Sequence, residues 1–338
     1  MHRRIQGVSR FVVLSLLLLI LPAAAQDFQI RTRVDLVVVP VTVKAPENKL
    51  VTGLQKEDFS VLEDGQQQTI TNFTIDPVPL SAAVLVDTGL SAGSLAKVQE
   101  TFPALAGAFS QFDEVAVYRF SKDVVKVADF SKDLEQVELA MKTLRNIKPD
   151  SPVTMLRGGP FSTIGPVING IPVVPPGQVG VNRTIEQEKN KVLNDAIFIA
   201  AADLAKRERD RRKIVLVVSD GTTNGSEHSF DETMNSLLDA GVEVYAITLD
   251  QTFLTRKFTQ LNDFAKSTGG DSYYVGDSVQ SIEAGYSRAA EQARNQYILG
   301  YVSANKVSGT LPVFRNIEVK MAKADYEALH RKGYYQYP

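Results

Sequence analysis

The period of the hydrophobic positions divides the chain into three zones. Between residues 34 and 75 the apolar residues come in short β-branched runs. VDLVVVPVTV (34–43) has strand composition, and Pro40 within it points to an edge or a bulge, because proline has no amide hydrogen for a ladder. FSVLEDGQQQTITNFTI places Asp64-Gly65 between two strand-like runs, as a two-residue hairpin turn requires. From Ser81 to about residue 295, unbroken apolar runs alternate with stretches of 3.6-residue spacing, so strands alternate with helices. The tail returns to β, with QYILGYV (296–302), FRNIEVKMA (314–322) and YEALHRKGYYQYP fitting three strands.

Within the middle zone, Ala82 to Val86 form an unbroken apolar run suited to a strand buried on both faces. Asp87 ends it, and Ser94 stands where a helix N-cap is expected ahead of LAKVQETFPALAGAF. DEVAVYRF (113–120) and VVKVADF (124–130) are separated only by Ser121-Lys122-Asp123, which permits only an antiparallel pair. DLEQVELAMKTLRNI (133–147) offers Leu134, Val137, Leu139, Met141 and Leu144 as a buried stripe. KVLNDAIFIAAADLAKRERDR predicts a long helix and KIVLVVSDG a strand ended by Asp220, as Asp87 ends the first. SFDETMNSLLDAG carries a capping box and a glycine stop.

The expected fold is α/β: a Rossmann-like, mostly parallel sheet over 81–295 with helices on both faces. The segments 27–80 and 296–338 are expected to pair into one small β-sandwich-like domain, since an isolated hairpin is marginal in water. Residues 149–183, rich in Gly and Pro, break the rhythm. A loop so long is either functional or a tolerated surface insertion, and its apolar residues suit a partner or their own domain equally.

Composition narrows the function. The 338 residues are 44% hydrophobic and 22% charged, an ordinary globular balance, and the net charge of −2 gives no field to recruit nucleic acid. The basic cluster at 206–213 is interrupted by acids and expected as a solvated helix end. Residues 1–25 read as a signal peptide: His2, Arg3, Arg4 and Arg10, a short apolar core, then Ala23-Ala24-Ala25. The core is short against the roughly 20 residues of a span. Export follows, to the periplasm, the envelope or the medium, with no membrane span after cleavage. The chain has no cysteine, which excludes disulfides and thiol chemistry, and its three histidines leave only His228 and His330 outside the leader.

Two resemblances attach to the turn after the first buried strand. Asp87-Thr88-Gly89-Leu90-Ser91 resembles the D-x-S-x-S turn of von Willebrand factor A domains, part of a metal-ion-dependent adhesion site. Gly53 to Gly65 (GLQKEDFSVLEDG) resembles the G-L-x-x-x-D-F-x-V-x-E-D-G stretch preceding the A domain in the exported, von Willebrand factor A-related family named from acidobacteria. That resemblance implies a Mg²⁺ or Mn²⁺ site with Asp87, Ser91 and Asp220 as ligands, and a partner-binding rim of Thr88, Lys191 and Thr222. Two positions depart. Gly89 stands at the first serine, and Lys191 of KVLNDAI at the threonine. A protonated lysine cannot ligate a cation. It either sits between Asp87 and Asp220 as a counter-charge or turns to solvent.

Gly89-Leu90-Ser91-Ala92-Gly93 also matches G-x-S-x-G, the nucleophile elbow of serine hydrolases. Its context is poor: the elbow falls on the first strand of the α/β zone, no HGGG motif is present, and no histidine is well placed. The expectation is therefore a non-enzymatic, exported protein-binding or adhesion module with a degenerate adhesion site. A metal-free scaffold of the cell envelope is the alternative, and a hydrolase using Ser91 the remote one.

Overall fold

Each run of alternating or unbroken apolar residues in the β zones becomes a strand of one of two facing sheets. The computed structural model describes residues 36–148, 190–249, 260–276, 278–307 and 309–338, and a short hairpin pairing Val167–Ile168 with Ile171–Pro172. The expected signal peptide and most of the loop 149–183 lie outside the described residues. In the first β segment, β1 (Leu36–Ala45), β2 (Phe59–Glu63), β3 (Gln66–Gln68) and β4 (Ile70–Thr74) follow one another. The last segment supplies β11 (Tyr297–Val302), β12 (Val313–Met321), β13 (Glu327–Leu329) and β14 (Gly333–Gln336).

These strands interleave. One sheet runs β13-β1-β11-β4, joined by the short strand Lys49–Leu50, and the other runs β14-β12-β2-β3. Val39, Val41, Phe59, Val61, Tyr297, Leu299 and Ile317 are buried in one core formed by both segments, so neither could close its core alone. Pro40 lies where β1 pairs with β11 only, just before Thr42 takes β13 as its neighbour, so its missing amide hydrogen breaks no ladder. Asp64 and Gly65 both have positive φ (50° and 80°), as a type I′ turn needs. Glu63, fully buried, accepts from Tyr301 Oη (2.7 Å), Tyr334 Oη (3.1 Å), Ser303 Oγ (2.6 Å) and Asn305 Nδ2 (2.7 Å). One carboxylate thus ties the first segment to the last. The expected third tail strand is two strands, because the chain turns at His330–Lys332 between β13 and β14.

Between these segments lies a six-stranded sheet. Its strands are β5 (Leu80–Asp87), β6 (Glu114–Phe120), β7 (Val124–Ser131), β8 (Arg212–Ser219), β9 (Val242–Thr248) and β10 (Asp271–Tyr274). The order is β10-β9-β8-β5-β6-β7, all parallel except the edge strand β7. Counted within the sheet this is 3-2-1-4-5-6, the doubly wound order. Helices α1 (Ala92–Glu100), α2 (Phe102–Gly107), α3 (Leu134–Arg145) and α7 (Val279–Arg294) cover one face. Helices α4 (Leu193–Ala205), α5 (Phe230–Ala240) and α6 (Gln260–Thr268) cover the other. Every residue of β5 is buried. Tyr335, within the last strand, and Tyr337, just beyond it, donate to Asn235 and Asp239 of α5, which fastens the sandwich to the α/β layer.

Four expectations change. The cap of α1 is Ser91, not Ser94: the Ser91 side chain accepts from the Ser94 amide, and Ser94 is the third helical residue. The expected single helix after it breaks at Thr101, where Pro103 begins a second one. Leu139 is 65% exposed and Ala140 takes its place in the stripe of α3. Finally, α4 ends at Ala205, and the basic cluster beyond it is not wholly solvated. Arg207 grips Glu114 with two bonds (2.8 and 2.6 Å), while buried Arg211 donates to the Leu80 and Phe112 carbonyls. Those arginines knit the start of β5 to that of β6.

Candidate functional site

The strand order reverses between β5 and β8, and the carboxyl ends of these two strands are where doubly wound sheets bind ligands. β5 ends on Asp87, and Asp220 directly follows β8. Lys191 reaches the same place from the turn before α4. Its Nζ lies 2.8 Å from Asp87 Oδ2 and 2.6 Å from Asp220 Oδ2, both lengths of charge-assisted bonds. Asp87 is fully buried, the Lys191 side chain is 4% exposed, and the Asp220 side chain 22%.

Local sequence explains each position. Asp87 Oδ1 accepts from the Gly89 amide at 2.8 Å, which folds the turn back on its own carboxylate. Asp87 Oδ2 accepts from Ser219 Oγ at 2.8 Å, and Ser219 Oγ in turn receives the Gly221 amide. Asp220 Oδ1 accepts from the Thr222 amide. The main chain of Lys191 is fixed on both sides. Its amide donates to Asn224 Oδ1, its carbonyl accepts from the Asn224 and Gly225 amides, and the next amide, Val192, donates to Ser121 O. A second clamp holds the loop after β8. Asp195 of α4 accepts the Glu227 and His228 amides and contacts His228 Nδ1 at 2.7 Å, with the His228 ring stacked on Phe198.

Burial pushes against the Lys191 charge, but the Asp87 and Asp220 carboxylates outweigh it and hold the amine above the usual lysine value. Burial likewise pushes the Asp87 carboxyl up, opposed by Lys191, while Asp220 adds to the rise.

The expected rim is only partly available for contact. Thr222 is exposed, but Thr88 is buried with its hydroxyl donated to Phe120 O, and Lys191 is turned inward. Ser91 is exposed, with its oxygen engaged by the Ser94 amide and hydroxyl. Asn224, Ser219 and Asp195 were not singled out from sequence. Asp195 is the aspartate of the KVLNDAI stretch, and Ser219 and Asn224 flank the strand-ending Asp220, the signals that sequence offered for them.

As arranged, these residues do not fit Mg²⁺ or Mn²⁺. A hard cation needs near-octahedral oxygen ligands. Here an ammonium occupies the space between the two carboxylates, Ser91 serves as a cap, and the Thr88 hydroxyl faces away. At Gly89 a Cβ would stand 3.0 Å from Ser121 Oγ and 3.2 Å from Lys191 Cε, so a serine there has no room without movement. Among the described residues no three His, Cys, Asp or Glu side chains gather as a metal centre.

The strand order, the single antiparallel edge and the helices on both faces settle the fold. The α/β half is von Willebrand factor A-like. No protein-family model and no curated protein matches the sequence. Solved structures similar to it include an aerotolerance-related membrane protein from Bacteroides fragilis, 14% identical over 63% of this chain and 99% of that one, TM-score 0.42. Another is BatB from Bacteroides thetaiotaomicron, 13% identical over 63% and 98%, TM-score 0.42. A third is proximal thread matrix protein 1 of the mussel byssus, solved with zinc in its MIDAS motif, 15% identical over 64% and 48%, TM-score 0.43. Identities and scores this low carry nothing about the site, so the fold assignment rests on this chain's own topology. No helix among the described residues is long and apolar enough to cross a membrane.

Proposed function

We propose that this chain is an exported, non-enzymatic protein-binding module that meets its partner at the carboxyl rim of the six-stranded sheet, over a degenerate adhesion site. One observation carries the reading. Residues far apart in sequence, Asp87, Lys191 and Asp220, lock three loops into one rim at the point where the sheet reverses. A rim so ordered presents Ser91, Thr222 and Asn224 as exposed polar contacts without needing a partner to fold it.

The chemistry around Ser91 speaks against hydrolysis. Its oxygen is a helix cap, His228 is turned onto Asp195, and His330 sits in the sandwich with Nε2 accepting the Val319 amide. Nucleophilic catalysis requires a base within hydrogen-bond reach, and neither histidine is offered to Ser91.

The test is capture from the envelope fraction of the producing cell on immobilised protein. Thr222→Arg and Asn224→Arg should abolish capture, and Lys56→Glu, on the sandwich, should leave it intact. Capture indifferent to both rim changes, or labelling of Ser91 by a serine-directed fluorophosphonate, would overturn the proposal.

A further inference from the structure

We propose that the Lys191 ammonium is a resident substitute for a divalent cation, and that Lys191 and Gly89 form a matched pair that closes the site to metal. The inference deepens the reading of this rim as a former adhesion site and rests on it, but its test needs no partner.

Two ionised carboxylates brought together at a site this buried need a neutralising cation or a shared proton. Asp87 is fully buried, and like charges brought together away from water repel strongly unless neutralised. Lys191 Nζ supplies that charge from a chain position, at hydrogen-bond distance from both. A diffusible ion would leave the rim dependent on ion supply. An ammonium covalently attached to the chain leaves it permanently assembled. The lysine backbone extends the connection, since its amide and carbonyl bind the loop after β8 and the following amide binds Ser121 of the β6–β7 turn. Lys191 and the next amide therefore join the ends of β5, β6 and β8.

The two departures from the adhesion motif lie in contact with each other. The aliphatic stem of Lys191 passes against Gly89, where an added Cβ would lie 3.0 Å from Ser121 Oγ and 3.2 Å from both Asp87 Oδ1 and Lys191 Cε. A serine at 89 requires the Lys191 stem, together with Ser121 and Asp87, to give by a few tenths of an ångström. With no side chain at 89, the Lys191 stem has room to reach the two carboxylates.

Two measurements test this. In the first, mature protein is melted, and titrated calorimetrically with Mn²⁺, with EDTA as reference. Wild type should show no binding heat and the same melting temperature in both, and Lys191→Met, which keeps the stem and removes the charge, should melt several degrees lower. The second is a double-mutant cycle. Gly89→Ser alone should lower the melting temperature, but in a Lys191→Thr background it should leave it unchanged or raise it, and that double variant should bind Mn²⁺. Mn²⁺ stabilisation of wild type that Asp87→Ala abolishes would overturn the proposal. So would a Lys191→Met chain as stable as wild type, additive losses in the cycle, or a folded double variant that ignores Mn²⁺. Loss of partner capture with these results intact would sink the binding reading alone.

Discussion

Replacing Glu63 by alanine should weaken the tie between the first and last segments of the β-sandwich. The carboxylate is fully buried and is shared by four donors, Ser303 Oγ and Asn305 Nδ2 on Oε1 and Tyr301 Oη and Tyr334 Oη on Oε2. All four come from the last segment of the chain, and Glu63 from the first. Each hydrogen bond to a charged acceptor is worth about 1.5–3 kcal/mol, and removing a buried partner also leaves its donors unsatisfied. Alanine recovers the cost of burying the carboxylate, and the half-buried Tyr334 and Ser303 can turn to water. The net loss should be about 3–5 kcal/mol, the range for breaking a buried charged network from one side. Glu63→Gln keeps the shape and one good acceptor, and should cost less than half as much. Urea unfolding followed by circular dichroism reads the loss. Because the chain has 11 tyrosines and no tryptophan, the near-ultraviolet signal reports on Tyr301 and Tyr334 among them. An alanine variant within about 0.5 kcal/mol of wild type, the scatter of ordinary surface changes, would refute the role given to Glu63.

Three other outcomes follow from the packing. Asp203 is partly desolvated, but bonds from Lys126, Lys206 and Tyr118 outweigh this and hold its carboxyl at about 2, against 3.8 ordinarily. A depressed carboxyl stabilises above its unfolded value and loses that contribution as pH falls through about 4 to 2. The increment should be about 1 kcal/mol after solvent screening, and Asp203→Asn should remove that part of the acid sensitivity in melts between pH 5 and pH 2. Arg211→Met orphans the Leu80 and Phe112 carbonyls that now accept at 2.7 and 2.6 Å, and should cost about 2–4 kcal/mol in urea unfolding. Gly241 ends α5 at φ 64°, so Gly241→Ala should lower stability by about 1 kcal/mol without altering the fold seen by circular dichroism.

What the sequence made legible was decided by local chemistry. The apolar run ending at Asp87, the Asp64-Gly65 turn, the three-residue β6–β7 link and the Ser229–Gly241 helix with its capping box all declare themselves within a dozen residues. What it hid depended on partners far away. Leu139 has the right spacing for a buried stripe, but Ala140 faces the sheet because α3 is rotated on it. The 206–213 cluster looks like a solvated helix end until β5 and β6 bring the Leu80 carbonyl and Glu114 to Arg211 and Arg207. At the site, the sequence left Lys191 two fates, inward as a counter-charge or outward to solvent. The choice depends on the register that sets β5 beside β8, which carries Asp87 Oδ2 and Asp220 Oδ2 to the same ammonium. The same distance dependence explains Thr88 and Ser91. Each has a ligand's hydroxyl, yet one is engaged by β6 and the other by the first turn of α1.

Crystals grown in Mn²⁺ and measured at a wavelength where manganese scatters anomalously give the most direct test of the central claim. The account predicts continuous side-chain density for Lys191 ending between the carboxyls of Asp87 and Asp220, with no anomalous peak between them. A manganese peak bound by both aspartates, with the lysine swung away, would contradict it.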